Sequence, residues 1–513
     1  MLTIFGCDPP ATEQQSGDSS TKPVRPVTVI ASGDTHGWIM PCGCTSNQSG
    51  GLLRRGSYVD ERRESGEVIL VDVGGAADGT APYQLERFRA ILKGEHSMEL
   101  AAHNLGAAEI AFGAEVLQQL SQETGITFIS ANARDHAGQL LTTPFVLAEQ
   151  GGQKILITGV LSPSFADRNT QVSDPADAIL AVVNDVGADQ NRLVVLAYLP
   201  VDELRQLAET LPEAHVIIGG PTGQSLAPEQ IGPVLLTSAT NKGKFLAEVT
   251  FPAKASDPPA AKVVEMSPQW SDHPVQRQNL TAFRQILAER DFSADESGLV
   301  AARFGTDGDR HSDANSHGGR NSNGHASLNG DLNREGEAPA EPMNREGEAP
   351  AKPPGPRDFP RRSGSGEASR SLVGRSAEAP PFPEGIASGR SQRISGTESC
   401  RDCHAESCDV WDATGHAHAW QRLQDEDGAH VDPFCQKCHT TGYGLPGGFH
   451  SMKHSVDRVN VGCESCHGPS KDHVADSNRR TPLDAVGSCV QCHDEENSPE
   501  FEFGEYWKRI RHE

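Results

Sequence analysis

The sequence predicts an α/β domain, a low-complexity stretch, and a small, mainly α-helical or irregular domain with little apolar core. Three observations carry this. Short β-branched runs recur at 27–34, 68–75, 126–132, 154–160, 193–199, 215–220 and 234–240, with amphipathic stretches such as 84–93 and 201–211 between many of them. Near-continuous apolar strands alternating with helices mean sheets covered by helices on their outer faces. Residues 296–395 are polar, Gly/Asn-rich and repetitive. Nine of the twelve cysteines and eleven of the twenty histidines lie from Cys400 onward.

In chain order, residues 1–25 read as a polar tether without periodicity. Ile4-Phe5-Gly6-Cys7 looks like the end of a lipoprotein signal, which leads to the expectation of an upstream start and a lipid on Cys7 that anchors the chain to a membrane. Residues 26–290 form the α/β domain, long enough for one sizeable core, with 278–289 as a closing helix. Residues 291–395 read as a flexible linker; NREGEAPA occurs at 333–340 and 344–351 with Pro and Gly and no apolar seam. His311, His317 and His325 belong to that solvated stretch. Residues 396–513 are the small C-terminal domain. A net charge of −25 argues against a nucleic-acid partner. No run of about 18 apolar residues is present, so no transmembrane helix is expected.

The C-terminal domain holds one motif four times: Cys400-x-x-Cys403-His404, Cys435-x-x-Cys438-His439, Cys463-x-x-Cys466-His467 and Cys489-x-x-Cys492-His493. C-x-x-C-H is the attachment signature of c-type haem. Two thiols add across the porphyrin vinyl groups, and the adjacent histidine ligates the iron. Zinc ribbons also use C-x-x-C pairs, but they do not require a histidine directly after each pair. Four covalent haems are therefore expected, and in so short a segment they would themselves be the core. Cys408 lies outside every motif as a lone thiol.

The stretches WDATGHAHA (411–419), CHTTGYGLPGGF (438–449), VGCESCHGPSKDH (461–473) and YWKRIRH (506–512) resemble the tetrahaem cytochrome c family that relays electrons from hydroxylamine oxidation in nitrifying bacteria. The resemblance implies electron transfer with redox partner proteins. It also implies that His416, His473 and His512 supply distal ligands. His418 rivals His416, His450 and His454 are weaker candidates, and a haem without a distal histidine is the alternative for one motif. Thioether attachment happens outside the bacterial cytoplasm, so a periplasmic or extracytoplasmic location, with periplasmic redox partners, is expected.

Asp34-Thr35-His36-Gly37, at the end of the first strand run, resembles the first ligand block of calcineurin-like metallophosphoesterases, in particular the 5′-nucleotidase branch. That implies a four-layer α-β-β-α fold and two metals about 3.5–4 Å apart. The departures decide the activity. Gly75 stands where the bridging Asp is expected, Ala107-Ala108 for Asn-His, Pro221 and Gly223 for the late His pair, and Ala197-Tyr198 for a further His. Asp34, His36 and Asp72 remain, too few for a dinuclear centre. Cys42 and Cys44 follow closely; with Asp34 and His36 they could hold one further metal ion, form a redox pair, or be structural. Gly50-Gly51 with Arg54-Arg55 offers an anion site at a helix start, or a solvated loop.

The function expected is an exported multihaem electron carrier whose phosphoesterase-like domain docks or senses without hydrolysis. The alternatives are a haem-dependent oxidoreductase acting on a small nitrogen or sulfur compound, and a nucleotidase-like phosphoesterase.

Overall fold

Side-chain alternation sorts the first strand between two cores. Val27, Val29 and Ala31 face a second sheet, while Ile30 faces helices. The computed structural model that establishes this describes residues 23–40, 49–187, 192–300, 393–482, 485–494 and 497–512. Cys7, Cys42, Cys44, His311, His317 and His325 lie outside the described residues, as does most of the 291–395 stretch.

In chain order the α/β part runs β1 (Val27–Ser32), α1 (Leu52–Ser65), β2 (Glu67–Asp72), α2 (Pro82–Ser97), β3 (Leu100–Asn104), α3 (Ala107–Ile110), α4 (Gly113–Thr124), β4 (Phe128–Ile129), β5 (Ala133–Arg134), β6 (Phe145–Gln150) and β7 (Gln153–Leu161). It continues with β8 (Gln171–Val172), α5 (Pro175–Val186), β9 (Arg192–Tyr198), α6 (Val201–Thr210), β10 (Val216–Gly220), β11 (Glu229–Ile231), β12 (Val234–Ser238), β13 (Phe245–Phe251), β14 (Ala260–Glu265) and α7 (Pro274–Arg290). Two six-stranded sheets result, in the orders β14-β13-β1-β2-β3-β4 and β11-β12-β10-β9-β7-β6. In the first sheet β1 to β4 run parallel while β13 and β14 are antiparallel to their neighbours; in the second the inner strands are parallel and both edges antiparallel. Val29, Val71, Ile157, Leu196 and Ile218 fill the space between the sheets. Phe88, Ile91 and Leu280 pack helices on the first sheet, and Leu204, Leu207 and Ile179 on the second. This is the four-layer α-β-β-α arrangement.

Two boundaries differ from the sequence reading. The run 126–132 is a strand only at Phe128–Ile129. Beyond it, Asn132 replaces ladder bonds with its own amide, which donates to Leu161 O and Ser173 O and accepts from Leu161 N. The ends of the 291–395 stretch are packed, because Phe292, Ala294 and Ile394 bring apolar surface that the folded body buries.

The C-terminal part has short helices, α8 (Ala405–Asp412), α9 (Ala419–Asp425), α10 (Pro433–His439), α11 (Cys463–His467), α12 (Lys471–Ala475) and α13 (Phe503–Ile510), joined by 3-10 turns. Its buried apolar cluster is Trp420, Leu423, Ala429 and Phe449. So small a cluster cannot offset the ordering entropy of over a hundred residues.

The two parts touch. Asp291, just past α7, accepts from the amides of Met452 and Lys453, both at 2.9 Å. Ala294 N donates to His450 O at 2.8 Å. Trp38 meets Phe434 edge-on at 5.0 Å, and the Tyr83 hydroxyl donates to Asp432.

Candidate functional site

The helical turn explains the motif. Residues three apart on a turn share a face, so the two cysteines of each C-x-x-C point the same way and the histidine follows directly. Cys435–Cys438 lie on α10, Cys463–Cys466 on α11, and Cys489 opens a 3-10 turn. None of the nine cysteines from Cys400 onward is joined to another in a disulfide. Thiols of different motifs approach: Cys400 hydrogen-bonds Cys463, and Cys438 hydrogen-bonds Cys492.

Three motif histidines face a second imidazole. Ring centroids are 6.0 Å apart for His404 and His473, 6.1 Å for His493 and His416, and 5.9 Å for His467 and His512. A metal–imidazole bond is about 2 Å, so two imidazoles on opposite sides of one metal stand with centroids about 6 Å apart. The rings are also oriented from behind. His473 Nδ1 bonds Arg479 O at 2.5 Å, His512 Nδ1 bonds Ile510 O at 3.0 Å, and His493 Nδ1 bonds Ser498 Oγ at 2.8 Å. Such bonds leave Nε2 to face a metal and fix the tautomer. His439 Nδ1 bonds Ala419 O at 2.8 Å in the same manner. Burial pushes His416, His439 and His493 below the ordinary imidazole range, which keeps them neutral as ligation requires.

The ring opposite His493 is that of His416, not its rival His418. His450 and His454 have local partners instead: His450 Nε2 bonds Leu445 O at 3.1 Å, and His454 Nδ1 bonds Ser451 Oγ at 3.0 Å. A cavity of about 540 Å³ is lined by Cys435, Cys438, His439, Cys489, Cys492 and His493. Its opposite wall belongs to the α/β domain, through Gly37–Met40 and Arg87. The donor set and the spacing fit covalently held haem.

The α/β site is of another kind. Asp34 and His36 sit in left-handed backbone after β1 (φ 50° and 48°), held by Asp34 N to Gly74 O and His36 N to Gly75 O, both 2.8 Å. Asp34 Oδ2 accepts from Thr240 Oγ1 at 3.1 Å. Burial raises the Asp34 carboxyl above its usual range, against the pull of His36 and Thr240. Among the described residues, the side chains within metal-ligand spacing of one another are Asp72, Glu95 and His103, without Asp34 or His36.

That buried trio already has its counter-charges. Arg55 Nη1 lies 3.5 Å from Glu95 and 3.9 Å from Asp72, and Arg55 Nη2 donates to Thr35 Oγ1 at 2.9 Å. His103 Nδ1 bonds Glu95 at 2.8 Å, and its Nε2 is 3.9 Å from both Asp72 and Glu109. Burial opposes charge on His103, but Glu95, Asp72 and Glu109 outweigh it and hold the imidazole well above its ordinary range. Asp72 accepts from Ser32 Oγ at 2.5 Å and from Gly74 N at 2.8 Å. A divalent cation would meet two cations in residence. A side chain at Gly75 would also collide, since its Cβ would lie 2.6 Å from the Tyr198 ring. Tyr198 is buried, and burial together with Asp34, Glu109 and Asp72 keeps its phenol protonated. The residues present do not fit a two-metal centre.

Arg55 is fully buried and ion-paired, so the anion site suggested at Arg54-Arg55 is corrected: the guanidinium faces inward, and Arg54 Nη1 donates to Met266 O at 3.2 Å. Sequence reasoning missed Glu95, His103 and Glu109. The signal was a histidine and an acid at apolar-periodic positions, which only packing pairs.

Residues 399–468 match a family model described as cytochrome c554 and c-prime. Cytochrome c-554 of Nitrosomonas europaea is 32% identical over 95 residues, 16% of this chain and 40% of that protein. Snake venom 5′-nucleotidase of Crotalus adamanteus is 24% identical over 227 residues, 39% of this chain and 37% of that protein. The chain thus spans two fifths or less of the length of these curated relatives. Among solved structures, a 5′-nucleotidase precursor from Thermus thermophilus overlays with a TM-score of 0.47 at 24% identity, covering 52% of this chain and 60% of that one. A calcineurin-like phosphoesterase from Bacillus subtilis overlays at 0.46 and 17% identity, covering 52% and 99%. The chain joins a C-terminal region similar to the cytochrome c554 family to an α/β domain similar to 5′-nucleotidases.

Proposed function

We propose that this protein is an exported electron carrier with four c-type haems, and that its phosphoesterase-like domain is a non-hydrolytic scaffold for docking. The observation that carries the reading is the recurrence of imidazole pairs near 6 Å behind C-x-x-C-H motifs. Covalently bound haem supplies one-electron exchange between ferric and ferrous iron. The chain's residues do the rest. Cys400/Cys403, Cys435/Cys438, Cys463/Cys466 and Cys489/Cys492 anchor the macrocycles, and His404, His439, His467 and His493 are the proximal ligands. His473, His416 and His512 are the distal ligands of the first, fourth and third motifs. The Nδ1 hydrogen bonds of His473, His512, His493 and His439 limit ring rotation and so keep reorganisation on electron transfer small.

Haem attachment supports a periplasmic or equivalent location with redox proteins as partners, and a lipid on Cys7 is the proposed membrane tether. Maturation in a host equipped for c-type cytochromes tests the reading. Four haems per chain by pyridine haemochrome and intact mass are expected, and a colourless exported protein would refute it.

A further inference from the structure

We infer that Arg87 of the α/β domain is a positioning charge that sets the potential of the haem carried by Cys435 and Cys438, an inference that rests on the cytochrome reading above. Arg87 projects from α2 and is 3% exposed. Its Nε and Nη2 donate to Gly37 O at 3.1 and 2.7 Å, and its Nη1 pairs with Asp78 at 3.0 Å. The guanidinium carbon lies 4.9 Å from the centroid of Phe434, the residue just before Cys435. One turn earlier on α2, Tyr83 donates to Asp432, whose carboxylate also accepts from Phe434 N at 2.9 Å. Arg87 therefore lines the same cavity as Cys435, Cys438 and His439. Gly37 makes the approach possible, since a Cβ there would stand 2.5 Å from Arg87 Nη2.

A guanidinium stays charged at every accessible pH. Reduction adds one negative charge to a haem, so a fixed cation beside it favours the ferrous form, and burial strengthens the effect. Asp78 and Asp432 act in the opposite sense, and Arg87 is the cation that offsets them. Lys437, with Nζ 4.5 Å from the Phe434 centroid, adds a second positive charge on the cytochrome side. The loop that opens with Asp34 and His36 thus ends as a support for a haem-side charge.

The test is a spectroelectrochemical titration of the haem-loaded full chain. In Arg87→Met, one of the four potentials should fall so that its ferrous-to-ferric ratio drops about tenfold, equivalent to about 59 mV for one electron. Arg87→Lys should restore most of that, and Asp78→Asn should move the same haem upward. Tyr83→Phe loosens the contact but keeps the charge, and should leave the potentials in place. Unmoved potentials in Arg87→Met and Asp78→Asn, with four haems attached, would overturn the inference. So would an equal drop in Tyr83→Phe, which would assign the effect to water entry. If Arg87→Met does not fold, Asp78→Asn alone decides by the sign of its shift. A wild-type chain without haem refutes the cytochrome reading instead.

Discussion

His103→Leu should destabilise the α/β domain far more than an ordinary core substitution of its size. The imidazole sits 2.8 Å from Glu95 and 3.9 Å from Asp72 and Glu109, and all of these side chains are fully buried. Three carboxylates face two cations, Arg55 and His103. Deleting one cation leaves buried negative charge with a single partner, and breaking a buried pair from one side costs about 3–5 kcal/mol. Removing Glu95 as well, in His103→Leu with Glu95→Met, should return most of that loss, because an apolar pair replaces an ionic one. The pH dependence has a definite sign. His103 is raised above its unfolded value, so its contribution is complete below about pH 6.5 and is lost as pH rises through the folded value. The penalty of His103→Leu should therefore shrink at alkaline pH. Native-state hydrogen exchange of β2 and β3 in the haem-loaded chain reads these energies locally. A single-mutant cost below about 1 kcal/mol, or a double mutant as unstable as the sum of the singles, would refute the reasoning.

Four further outcomes are expected. His473→Ala, His512→Ala and His416→Ala should each convert one haem from low to high spin in electron paramagnetic resonance, while His418→Ala changes none; a spin change in His418→Ala would reassign the ligand of the fourth motif. Phosphate-ester hydrolysis with added manganese should stay at background, and turnover abolished by Asp34→Ala would contradict the account of the α/β site. Manganese should also leave the thermal midpoint of the α/β domain unchanged, since Arg55 and His103 already neutralise the trio; a clear rise would mean that a metal binds. Replacing the eight motif cysteines by alanine should unfold residues 393–512, read as loss of exchange protection there, because among the described residues the buried apolar cluster is only Trp420, Leu423, Ala429 and Phe449.

The sequence alone determined the chemistry that repeats locally. A C-x-x-C-H motif is complete within five residues, so the eight cysteines and four following histidines were legible without a fold. The strand runs were legible for the same reason, since β-branched residues on both faces mean burial on both faces, and the replacement of metal ligands by Gly75, Ala107, Ala108 and Pro221 is a matter of residue identity. Tertiary structure decided what depends on distance through space. It set the His416 ring, and not that of His418, against His493, because a 3-10 turn directs the two rings differently. It joined Arg55, Asp72, Glu95 and His103 from α1, β2, α2 and β3 into one buried charge network. It also set Arg87 and Trp38 of one domain against Phe434 of the other. Coulombic and packing energies depend on separations in space, and those separations exist only once the layers have closed.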